Sequence, residues 1–189
     1  MDCNIKNKEV RCRGLAVSDC GLVVRPARNI QPKYVDKSST LVFAQKCNLK
    51  KGGIDYTLAQ FLDESTLQKY GNSEFIRTGD TVINSTGTGT LGRVGYITSF
   101  AEFPIVPDSH VTIIRVSQEI NSYYIFALLK YLQPVLEKKG EGSTNQKELK
   151  PNTLQDIIVP IPPFKEQYKI CEAIRNSYSL IKNIEDCII

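Results

Sequence analysis

Residues 157–170 read IIVPIPPFKEQYKI: a short apolar run, two prolines, then the opening of a helix. The β-branched residues before Pro162 suit a strand. Pro162 and Pro163 fix φ and stiffen the exit from it. Proline in a first helical turn loses nothing, because its missing N–H had no helical partner, and Glu166 suits the positive end of the helix that follows. Beyond the joint, Ile170, Ile174, Ser177, Ile181, Ile184 and Ile188 follow at steps of 4, 3, 4, 3 and 4. That alternation is the seam of a coiled coil. The spacing predicts a strand that anchors a helix starting near Pro163 or Phe164 and running to Ile189. The seam is expected to pack on a partner helix; the rival reading lays it back on its own domain.

Working outward, NSYYIFALLKYLQPVLEKKG (121–140) reads as a helix. Asn121 or Ser122 caps it, Tyr124, Leu128, Leu132 and Leu136 form one stripe, and Pro134 breaks the last turn. GLVVRP, STLVFAQKCNL, GDTVIN, GRVGYIT and HVTIIRV read as strands, as does the end of NTLQDIIVPIPP. DYTLAQFLDESTLQKYG (55–71) has helix-like spacing through Leu58, Phe61, Leu62 and Leu67 and is expected to be a helix closing on Gly71.

At 189 residues the chain is one domain with a small appendage, large enough to bury a normal core. No apolar run reaches the roughly 20 residues that cross a bilayer. The polar start, MDCNIKNKEV, has no apolar signal core, so a cytoplasmic location is expected. The six cysteines form no C-x-x-C pair and His110 is the only histidine, so reduced thiols and no metal site are expected. Net charge is +4, and residues 1–60 hold eleven Lys/Arg against five Asp/Glu, leaving the rest slightly acidic. A basic N-terminal third suits a polyanion, although a solvated surface explains it equally.

Several loops carry chemistry suited to nucleic acid. NSTGTGTLGRVG (84–95) combines glycines that allow close backbone approach with the hydroxyls of Thr86 and Thr88 and the charge of Arg93. It lacks the Lys-Ser/Thr ending of a Walker loop; its bland reading is a hydroxyl-rich hairpin turn. GEGSTNQKEL (140–149) offers Thr144, Asn145, Gln146 and Lys147, with amides able to pair with adenine edges. FAQKCNLKKGG (43–53) places Lys46, Asn48, Lys50 and Lys51 after a strand as a phosphate-contacting ridge. VVRPARNIQPKYVD (23–36) adds Arg25, Arg28, Lys33 and Tyr34. No nucleophile elbow and no S-adenosylmethionine fingerprint is present. His110 reads as a structural hydrogen-bonder at a strand start.

The order of three pieces carries a resemblance. IIVPIPPFKEQYKI resembles the strand–Pro-Pro–x–x–Glu-Gln–x–x–Ile junction of type I restriction–modification specificity subunits. GSTNQKELKPNTLQDI looks like the segment leading into it, and FIRTGDTVINSTGTGTLGRVGYI resembles the family's Gly-Asp–strand–Gly-rich-loop–Gly-Arg-Val-Gly element. LVFAQKCNLKKGGID extends the match to about residue 41, while the first 20 residues lack the family's usual opening.

The resemblance implies a mixed α+β (α/β) fold. A target recognition domain over residues 1–163 would carry a twisted, partly barrel-like β-sheet with flanking helices. Residues 164–189 would form a coiled-coil-type spacer helix, paired through Ile170, Ile174, Ile181, Ile184 and Ile188 in a homodimer. The chain would be either a fragment of a specificity subunit or a half-length one, reading one half of a split site on double-stranded DNA. It would bind no cofactor and catalyse nothing. Its partners would be a methyltransferase subunit, which holds S-adenosylmethionine, and an endonuclease subunit. The competing readings are the specificity end of a single-chain (type IIG-like) restriction–methylation enzyme, a coiled-coil assembly protein without DNA, and a phosphate-processing enzyme using the 85–93 loop.

Overall fold

The computed structural model describes residues 13–17, 22–25, 30–99, 101–142 and 147–188. Its strands are short because turn-forming residues interrupt the chain every few positions. They are β1 (Arg13–Ala16), β2 (Val23–Arg25), β3 (Tyr34–Val35), β4 (Leu41–Phe43), β5 (Gln60–Leu62), β6 (Thr81–Asn84), β7 (Val94–Tyr96), β8 (Ile105–Pro107), β9 (Val111–Arg115) and β10 (Ile158–Ile161). The helices are α1 (Glu64–Leu67), α2 (Ser122–Tyr131), α3 (Gln133–Lys138), α4 (Pro151–Gln155) and α5 (Phe164–Ile188).

Among the described residues the strands make three sheets, none closed into a barrel: β2-β9-β6-β7, β3-β5-β4-β8 and β1-β10. Neighbours are antiparallel except β4 and β8, which run parallel. The central sheet is buried on both faces. Ile83 of β6 and Ile114 of β9 join the helix-side core with Ile125, Leu129, Leu136 and Leu154. Their alternates Val82, Val111 and Ile113 join the opposite core with Phe43 and Ile97. The period-2 geometry of a strand produces this division.

One sequence expectation fails. Residues 55–71 are not one helix: a 3-10 turn spans Tyr56–Leu58, β5 follows, and only Glu64–Leu67 is helical. Asp63 accepts hydrogen bonds from the N–H groups of Ser65 and Thr66 at 3.1 and 3.3 Å, which starts α1 there. The three residues before it fill the gap between β3 and β4, so sheet pairing overrides the local spacing.

The break at Pro134 has a use. Gln133, at the start of α3, accepts from Val94 N–H at 3.2 Å and from Lys130 Nζ at 2.8 Å. Lys130 also donates to Val94 O at 3.4 Å. Side chains thus cover part of the outer edge of β7, where a bare strand would invite pairing.

At the C-terminal joint, β10 pairs with β1, so residues near the N-terminus hold the strand that precedes the prolines. Tyr124 Oη donates to Pro160 O at 2.8 Å. Gln167 is 1% exposed. Its amide donates to Pro162 O at 2.8 Å and accepts from Asn121 N–H at 2.9 Å, so one side chain ties α5, the proline exit and the cap of α2. Arg175 lies 4.4 Å above the Tyr123 ring, a second bond between α2 and α5.

The isoleucine seam divides. Ile170 packs on the helix-side core, and Ile174 is half-buried beside α2. Ile181 and Ile184 are 51% and 61% exposed, with Tyr178 at 61%. The base of α5 therefore lies on its own domain and the tip does not.

Candidate nucleic-acid interface

The loop between β6 and β7 is held from beneath and from both sides. At its root Leu149 N–H donates to Ser85 O at 2.7 Å, and an antiparallel bridge joins Thr86 to Glu148. A second bridge joins Glu141 to Glu148, so residues 147–149 stand between this loop and Glu141. On one side Gln45 donates to Thr86 O at 2.7 Å and to its hydroxyl at 2.8 Å. That hydroxyl also meets His110 Nδ1 at 2.9 Å, and His110 N–H donates to Asp108 at 2.8 Å. On the other side stands α3. Gly92 has φ +75°, and a Cβ there would come within 2.9 Å of Glu137 N. Only glycine combines that backbone with that approach.

Several expected contact residues prove to be internal supports. Asn48 is 1% exposed and donates to Asn84 Oδ1 at 3.2 Å and Arg93 O at 3.0 Å; its position removes it from the exposed ridge. Arg93 returns the bond, donating to Asn48 O at 2.8 Å and to Gly89 O at 3.2 Å. Thr86 is occupied by Gln45 and His110. Arg25 is half-buried on β2, beside Ile113 of β9, and its Nε has no partner among the described residues.

Other expected residues do face outward. Lys50, Thr88 and Lys147 come from three separate segments and line one open groove of about 440 Å³, together with Gly87, Gly89, Leu91 and Glu137. Lys51 and Lys46 are exposed, the latter within 3.3 Å of Gln60 Oε1. Lys33 and Tyr34 are exposed on and before β3; burial and then the charge of Asp108 push the Tyr34 phenol upward. Burial also raises the Asp108 carboxyl, against the pull of His110. Burial, then the nearby Arg93 charge, lowers the Lys130 ammonium. Arg28, Thr144, Asn145 and Gln146 lie outside the described residues.

Sequence reasoning missed Gln45, Gln133 and Gln167. The first two carry no local signal. The third stands in the Glu-Gln of the joint, where a glutamine so close to an isoleucine stripe is the clue. Among the described residues no group of three or more His, Cys, Asp or Glu is arranged for a metal ion. Cys47, Cys171 and Cys187 are unpaired, and no described helix is long and apolar enough to cross a membrane.

The family model described as "Type I restriction modification DNA specificity domain" matches residues 35–188. No curated protein matches the chain. The fold is similar to that of the HsdS subunit from Thermoanaerobacter tengcongensis, with TM-score 0.66 at 14% identity over 93% of this chain and 39% of that one. It is similar to the type I restriction–modification system S subunit from M. genitalium, with TM-score 0.59 at 11% identity over 96% and 42%. A chain from a structural study of assembly and conformational transition of the type I R-M system gives TM-score 0.71 at 15% identity over 93% and 40%. The chain thus spans about two fifths of the length of these structures.

Proposed function

Because the chain belongs to the type I restriction modification DNA specificity domain family, we propose that it binds duplex DNA and reads one half of a bipartite target for a restriction–modification complex. The observation that carries this reading is the meeting of Lys50, Thr88 and Lys147 in one groove over a braced glycine loop. Lysines there hold phosphates and set register, while base edges are read by the few side chains that reach them. The bracing matters because a loop fixed before contact does not lose entropy on binding.

In this reading Lys33, Tyr34, Lys46 and Lys51 extend the phosphate track with Lys147, while Arg28, Thr144, Asn145 and Gln146 are proposed as DNA contacts from their side-chain chemistry alone. Asn48, Thr86 and Arg93 act by shaping the loop. The chain is a recognition subunit without catalysis of its own, working in the cytoplasm. Residues 1–163 form the recognition domain and residues 164–189 the spacer. Methyl transfer, with S-adenosylmethionine, belongs to a methyltransferase subunit, and cleavage to an endonuclease subunit. The exposed Tyr178, Ile181 and Ile184 support pairing of two copies through the tip of α5. Two-fold pairing would join two identical readers and call for a symmetric split site.

Filter binding to duplex DNA over a salt series tests the reading. Lys50→Ala and Lys147→Ala should weaken binding to all sequences alike and flatten the log K against log salt slope by about one each. Wild-type chain that ignores DNA, or slopes unchanged in both variants, overturns the reading.

A further inference from the structure

One member of the groove does not fit phosphate binding. Glu137 lines it beside Lys50 and Lys147. It sits in the last turn of α3, the helix end that favours cations, and its charge opposes any phosphate the lysines attract. Its position is nevertheless supported with care. The Gln133 oxygen faces two donors, Val94 N–H and Lys130 Nζ, so its NH₂ must point the other way. There it donates to Glu137 Oε1 at 2.9 Å. The close approach of Gly92 to the Glu137 backbone seats the residue against the loop. Glu137 Oε2 has no partner among the described residues.

An ionised carboxylate only accepts hydrogen bonds. Phosphates and deoxyriboses within a DNA strand offer it no donor. On a duplex the donors are the exocyclic amines, cytosine N4 and adenine N6 in the major groove and guanine N2 in the minor groove. We propose that Glu137 is a specificity-determining residue that accepts a hydrogen bond from an exocyclic base amine, while Lys50 and Lys147 hold the flanking phosphates. This rests on the DNA-binding reading above. It makes the groove a selective reader, since a keto edge presented to the carboxylate is repelled and an amine is held. The hydrogen bond from Gln133, itself fixed by Val94 N–H and Lys130 Nζ, keeps the acceptor in place before DNA arrives.

The test is selection from a randomised duplex pool with the full chain, comparing wild type, Glu137→Gln, Glu137→Ala and the distant control Glu185→Gln. Wild type and the control should enrich an amine-bearing base at one position. Both Glu137 variants should lose roughly tenfold of the discrimination at that position and keep their other preferences. Unchanged thermal melts would show that the fold survives. If wild type selects a sequence and both variants select it equally well, or bind every sequence more tightly by one common factor, Glu137 is only a repelling charge and the proposal falls. If wild type enriches nothing, the DNA-reading function falls and the proposal with it.

Discussion

The base and the tip of α5 are built from one repeating pattern and do opposite things. At the base, Gln167, Cys171 and Ile170 turn inward, and the helix becomes part of the domain. At the tip, Tyr178, Ile181 and Ile184 continue the apolar stripe with little to cover them. The loop between β6 and β7 repeats the contrast with polar residues. Asn48, Arg93 and Gln45 spend their hydrogen bonds inside, while Lys50, Thr88 and Lys147 face the groove. Residue type does not separate the two roles; burial does. Inner members should govern stability, and outer members should govern binding or association.

The largest effect should come from Gln167→Leu. It leaves Asn121 N–H and Pro162 C=O buried without partners, a loss of ~3 kcal/mol. Denaturant unfolding should show it as a lower midpoint, and a midpoint unchanged within error would end the claim that this glutamine holds the joint. Gly92→Ala comes next, at ~2 kcal/mol from strain at positive φ against the α3 backbone. It should also weaken DNA binding, because the loop must move.

Asp108→Asn should have a smaller, pH-dependent effect. Burial raises the Asp108 carboxyl above the ordinary value it keeps when unfolded. Between those two values the folded state holds the proton more tightly, so stability falls as pH rises through that window and the loss is complete above it. The asparagine variant should lack this component while keeping an oxygen for His110 N–H. Melts over a pH series that starts at the ordinary carboxylate range and rises from there will show it as a flatter profile than wild type.

Ile184→Asp should leave monomer stability within ~0.5 kcal/mol, as for most exposed sites. Light scattering over a concentration series should instead show dimers of the wild type and monomers of the variant. A wild type that is monomeric throughout would remove the tip from the outer class.

Much of the framework was legible in the chain. A cap at Asn121 or Ser122, of which the structure uses Asn121, an interruption near Pro134 and the strands beginning at Thr81, Val94 and Val111 all follow from local chemistry. The helix beyond the prolines did as well. The stretch 55–71 was misread because Leu58, Phe61 and Leu62 match a helical period, yet the sheet needed a strand between β3 and β4. At the groove, Lys50 and Lys147 were readable as exposed cations. Asn48 was not readable as buried, since nothing in NLKK marks which polar side chain turns inward.

Sequence alone determined the periodicities, the caps and the proline joint, because each depends on residues a few positions apart. Tertiary structure alone decided that Gln167 bridges three segments, that the seam of α5 splits between body and solvent, and that Glu137 stands beside two lysines from distant loops. Those outcomes depend on which surfaces meet in space. A hydrogen bond or a buried face costs or stabilises only when its partner, however remote along the chain, is brought within reach.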